Sequence, residues 1–126
     1  MTGVTYDTGL LLAAEAGRVD AWAFHASVLR RGVLPTVPVV VLAQAWRGGP
    51  QAPLSRLLKG CRVEANHEVD GRAAGRACAR AGTSDVVDAL VVVGALRRGD
   101  LVVTSDPVDL QRLASAIGRR IALHRI

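Results

Sequence analysis

The chain has 126 residues, half of them hydrophobic and 21% charged, which suits one folded α/β-sized domain over residues 1–126 and excludes a disordered or fibrous protein. No apolar run approaches the ~20 residues that span a bilayer, and no basic segment leads into an apolar one at the N-terminus, so a cytoplasmic protein without membrane contact is expected. The net charge of +5 favours a polyanionic partner, although Lys59 is the only lysine among 16 basic residues and so much arginine points to compositional bias.

In chain order, short β-type runs alternate with helical ones. Val4-Thr5-Tyr6 reads as a first strand ending at Asp7. A helical pattern from Leu10 to about Gly32 is broken at Gly17, with Asp20 as N-cap of a second segment from Ala21 to Arg31. Val33 to Val37 is the next strand, placed near an edge or limited at its ends by Pro35 and Pro38. A helix from Val39 to Arg47 stops at Gly48-Gly49-Pro50, and a shorter one runs from Pro53 to Lys59. Cys61 to Ala65 is a strand, and an Ala-rich helix follows from His67 to Arg80. Thr83-Ser84 offers the cap of a helix from Asp85 to Arg98, which Gly99 closes. Leu101 to Thr104 is the clearest strand; Pro107 to Ile117 is helical, and Arg120 to His124 forms a last strand. Such alternation with short connections predicts an α/β fold: a mostly parallel sheet of four to five strands with helices on both faces.

With aromatics at 3%, aliphatic side chains must fill the core. Cys61 and Cys78 have neither a disulfide framework nor zinc-type spacing, and are expected as buried thiols. His25, His67 and His124 are too scattered to form a catalytic set, and Gly48-Gly49 lacks the lysine of a phosphate loop.

Five aspartates remain as candidates for chemistry. Ligands of an open parallel sheet bind beyond the carboxyl ends of its strands. Asp7 and Asp106 each follow a strand, so both fall on that edge. Asp85 and Asp88 open the helix before the clearest strand, and Asp109 lies three residues beyond Asp106. Each has a plainer role available: Asp106 before Pro107 suits an N-cap, and Asp85, Asp88 and Asp109 suit helix starts. Asp7, ending a buried strand, needs a cation or hydrogen bonds to offset its charge. Converging carboxylates repel one another, and hard oxygen ligands select Mg²⁺ or Mn²⁺. Asp7-Thr8-Gly9 also marks aspartic proteases, but those pair two such motifs in β-rich folds. This chain has one, among helical patterns.

Val4-Thr5-Tyr6-Asp7-Thr8-Gly9, the segment from Asp88 to Leu96, and Thr104-Ser105-Asp106 with Asp109 together resemble the PIN-domain ribonucleases, specifically the VapC toxins of bacterial toxin–antitoxin pairs. The resemblance covers essentially the whole chain and rests on order and spacing. It implies a PIN-like fold and an Mg²⁺- or Mn²⁺-dependent endoribonuclease. Asp7, Asp88 and Asp106 would form the catalytic metal site, with Asp85 and Asp109 close by. It also implies a homodimer and a VapB-like antitoxin whose tail enters the groove. Two residues depart from the family pattern. Gln44 stands where its second acidic residue, usually Glu, is expected, and Gly9 replaces a more usual polar residue. Trp46 and Arg47 are candidate RNA contacts, Trp46 also reading as core. An impaired PIN module that binds RNA or a protein without cutting is the alternative that Gln44 supports.

Overall fold

The computed structural model describes residues 2–126. The elements are β1 (Val4–Tyr6), α1 (Thr8–Glu15), α2 (Val19–Arg30), β2 (Thr36–Pro38), α3 (Val39–Ala45), α4 (Ala52–Leu58), β3 (Arg62–Glu64), α5 (Glu68–Ala81), α6 (Val86–Arg98), β4 (Leu101–Thr104), α7 (Pro107–Ala116) and β5 (Ala122–Arg125). The strands form one sheet in the order β3-β2-β1-β4-β5, and every neighbouring pair is parallel. The α/β, parallel-sheet expectation holds.

Winding direction decides where the helices go. From β1 the chain steps outward to β2 and β3, then returns past β1 to β4 and β5. Right-handed crossovers therefore put α1 to α4 on one face and α5 to α7 on the other. The packing agrees: α1 lies against α2, α3 and α4, while α5, α6 and α7 lie against one another. The reversal falls between β1 and β4, the position where such sheets open a crevice at their carboxyl ends.

The central strands are buried on both sides, as parallel strands between helical layers must be. Val4, Thr5, Tyr6, Val102, Val103 and Thr104 are all buried. Register pairs Val4 with Leu101, Thr5 with Val102 and Tyr6 with Val103. At the start of this pair, Thr5 Oγ1 donates to Asp100 Oδ2 (2.8 Å), and Arg98 donates to both residues (2.9 Å each). That bonded triangle ties β1 to β4 and fixes the register on which the far edge depends.

α6 carries Val86, Val87 and Val91-Val92-Val93, residues that favour strands by propensity. Context overrides them. Asp85 caps the first turn, Ala89, Val92 and Ala95 are buried at helical spacing, and Gly99, at φ 72°, takes the left-handed conformation that ends the helix.

Four local expectations are corrected. β2 begins at Thr36, not Val33, because the Val33 N–H is spent on Val28 O in the closing turn of α2 (3.3 Å). Of the two expectations for its prolines, the limit at its ends holds, because the strand is interior. Pro35 lies just before it and Pro38 ends it, so the prolines bracket the pairing without moving it to an edge. β5 starts at Ala122 because the backbone up to Arg119 completes the end of α7, the Arg119 N–H reaching Ala114 O (2.9 Å). Arg18, not Asp20, occupies the N-cap of α2; Asp20 sits within the first turn and accepts from the Ala21 N–H (2.9 Å). Asp85, not Thr83 or Ser84, caps α6.

Candidate functional site

Asp7 continues the β1–β4 pairing one residue past β1, its N–H donating to Val103 O (2.9 Å). The backbone is thereby fixed before the side chain is considered. Oδ1 accepts from the Thr8 N–H (2.8 Å), capping α1, and Oδ2 accepts from Thr104 Oγ1 (2.7 Å). Thr104 Oγ1 in turn accepts from the Asp106 N–H (2.9 Å), so one hydroxyl ties both loops of the crevice together. Burial raises the Asp7 pKa above the usual carboxylate range; the Thr104 and Thr8 bonds act against that, while the charges of Asp106 and Asp85 add to it.

Asp88 is half-buried in the first turn of α6, and its N–H donates to Asp85 Oδ1 (3.3 Å). Burial first, then the negative charges of Asp7, Asp85 and Asp109, push its pKa up to about 7. Asp85, Asp106 and Asp109 are exposed. Asp106 takes the N-cap position of α7, but its side chain makes no capping bond and stays free. All five aspartates and Gln44 line one cleft of about 240 Å³ at the carboxyl edge of the sheet.

Among the described residues, no three His, Cys, Asp or Glu side chains already stand at the spacing that holds an ion. The donor chemistry nevertheless fits a hard divalent cation. The donors are all oxygens, and the negative charges that add to burial in raising the Asp88 pKa are what a cation would offset. The five carboxylates line the cleft without already forming such a set.

Gln44 faces this cleft from α3, and its Oε1 accepts from Thr8 Oγ1 (2.6 Å). A glutamate keeps that acceptor and adds a charge beside Asp7. Gln44→Glu is therefore expected to tighten Mn²⁺ binding by ~1 kcal/mol, roughly tenfold or somewhat less given the exposure of the side chain. Calorimetric titration of both proteins checks this, and equal affinities would place Gln44 outside the ion's reach. Gly9 has a steric reason of its own: a Cβ there would fall 2.3 Å from Ser105 Oγ and 2.8 Å from its Cβ. Glycine lets the start of α1 close on the β4–α7 loop.

Other candidates are not brought to the cleft. Arg47 spends its guanidinium on Ala43 O (3.2 Å) and Trp46 O (2.7 Å) at the end of α3. Trp46 is 40% exposed, not core, and borders an apolar groove with Val39, Leu42 and Leu58. His25 is buried against Tyr6, its Nδ1 2.7 Å from the phenol oxygen; His67 precedes α5, and His124 stacks on Phe24. Cys61 and Cys78 are free thiols, Cys78 buried and Cys61 partly so. Reasoning from sequence missed Thr8, Thr104, Ser105 and Arg112. For Thr104 a signal existed, since a threonine ending the strand beside β1 must present a hydroxyl near Asp7.

No protein-family model matches the sequence, and no curated protein matches it. By structure, the chain is similar to a chain of VapBC2 from Rickettsia felis, crystallised bound to a DNA fragment from their promoter, with TM-score 0.75, 14% sequence identity and 98% of each chain covered. At that identity the likeness speaks for the fold, which is PIN-like. No helix among the described residues is long and apolar enough to cross a membrane.

Proposed function

We propose that the chain is a VapC-like toxin: an Mg²⁺- or Mn²⁺-dependent endoribonuclease that hydrolyses RNA phosphodiester bonds and is neutralised by a VapB-like antitoxin. One observation carries the reading: five carboxylates from both ends of the chain face a single cleft at the winding reversal of a PIN-like sheet. Asp7 and Asp88 would hold the cation, Asp106 would complete its site, and Asp85 and Asp109 would add negative field from the rim. A divalent ion bound there lowers the pKa of water and neutralises charge on phosphoryl oxygens.

The protein's own residues do the rest. Thr8 and Thr104 hold the Asp7 carboxylate in one orientation at the cleft wall. Burial keeps its negative charge poorly solvated, and therefore responsive to a cation. The net positive charge elsewhere draws in the polyanion, while the acidic cleft stays selective for a cation first. RNA as substrate, homodimerisation and the antitoxin follow from the resemblance to VapC toxins. An impaired PIN module that binds without cutting is the second reading, favoured by the amide at Gln44 in place of a fourth charged ligand.

Purified protein is expected to cut single-stranded or structured RNA with Mg²⁺ or Mn²⁺ and to stop in excess EDTA. Cleavage undiminished by EDTA would exclude the mechanism. RNA binding without cleavage at any divalent concentration would favour the second reading.

A further inference from the structure

A smaller pocket of about 100 Å³ opens beside the acidic cleft. It shares Asp85, Asp88 and Asp109 with the cleft, and Thr83, Arg112 and Leu113 complete its wall. Among the described residues, Arg112 is the one basic side chain lining either space. It follows Asp109 by three residues on α7, so the two share a helical face.

Its guanidinium nevertheless pairs with none of these carboxylates. Among the described residues the ion pairs join Arg18 to Asp20, Arg72 to Glu68, and Arg97 and Arg98 to Glu64, Asp70 and Asp100. Arg112 thus keeps a planar fork of donors available for an incoming pair of oxygens. Across the pocket, Thr83 Oγ1 accepts from the Asp85 N–H (3.2 Å) and retains its own proton to donate. The two spaces share a wall, so the pocket lies within reach of a nucleic-acid backbone seated over the cleft.

We propose that Arg112, assisted by the Thr83 hydroxyl, binds the RNA phosphate next to the one that is cut, and so sets which linkage lies over Asp7 and Asp88. The inference rests on the nuclease reading of the cleft and deepens it. An acidic wall alone repels a phosphodiester. One fixed positive charge at its rim gives the backbone a register, and the fork geometry makes arginine better suited than lysine to hold it.

The test compares wild type with Arg112→Gln, Arg112→Lys and a surface control, Arg76→Gln, at an exposed position of α5. Binding of a short single-stranded RNA is read by fluorescence anisotropy in EDTA, across salt from about 50 to 200 mM. kcat and KM are measured separately with Mn²⁺. Arg112→Gln is expected to weaken binding roughly tenfold at low salt and to reduce the slope of log affinity against log salt by about 0.7. KM should rise by a similar factor while kcat changes less than about twofold. Arg112→Lys should keep the slope and recover part of the affinity, and Arg76→Gln should match wild type. If wild type binds and cuts RNA, and Arg112→Gln shows the same slope and KM, the role of Arg112 is overturned and the nuclease reading stands. If wild type neither binds nor cuts RNA, both fall together.

Discussion

Asp7→Asn is expected to reduce RNA cleavage by roughly a thousandfold or more while leaving the protein folded. The substitution preserves shape and removes charge. The amide oxygen can still accept from the Thr8 N–H, and the amide nitrogen can face Thr104 Oγ1 once that hydroxyl turns its proton away. A buried charge is replaced by a neutral group, so thermal stability without metal should hold or rise. The Asp88 carboxyl should also titrate lower, because the charge of Asp7 is the second contributor, after burial, to its raised pKa. Cleavage assays, thermal denaturation and carboxyl-detected NMR titration read these three effects separately. Full activity in the variant would remove Asp7 from the site.

The second large effect is on pH dependence with and without metal. Asp88 is pushed from 3.8 to about 7 in the folded chain. A folded-state pKa raised in this way means that the native protein holds the proton more tightly than the unfolded chain. Its contribution to stability is therefore fully present below pH 3.8 and is lost as pH rises through about 7. Asp7 acts in the same direction. His25 opposes both: burial lowers its pKa below 6.5, so its contribution is present above that value and is lost on acidification. The Asp88 contribution is isolated by comparison with Asp88→Asn, which should show a smaller loss towards pH 8 and keep the loss on the acid side. Mn²⁺ should raise the melting temperature of wild type far more at pH 8 than at pH 5.5, because protons and metal compete for the same carboxylates. A metal-induced shift that does not change with pH would argue against Asp88 as a ligand.

Much of this arrangement could be read from the residues. Asp7 and Asp106 each end a run of β-formers, and two strand ends of a parallel sheet must share an edge. Asp85 and Asp88 sit at a helix start that the Gly82-Thr83-Ser84 break announces. β2 was less legible, because a three-residue strand between two prolines carries no period and its limits depend on where α2 finishes its hydrogen bonds. Trp46 was misleading because α3 is apolar apart from Gln44, so the exposed side that carries Val39 and leads to Trp46 has no polar mark. Arg112 escaped for a different reason. In a chain with 16 basic residues, nothing local distinguishes the one that faces an acidic pocket. Only the docking of α6 against α7 does that.

The pairing of β1 with β4 joins residues 4 and 101, 97 positions apart in a chain of 126. During synthesis Asp7 is made well before Asp106, with α1 to α6 translated in between. A chain still being made therefore carries the parts of its cleft without the cleft. Asp7 and Asp106 converge only once β4 pairs with β1, a contact of long sequence separation. A chain cut short before Leu101 retains Asp7, Asp85 and Asp88 but loses the strand whose Thr104 orients the first of them. An unfinished copy therefore lacks the assembled cleft.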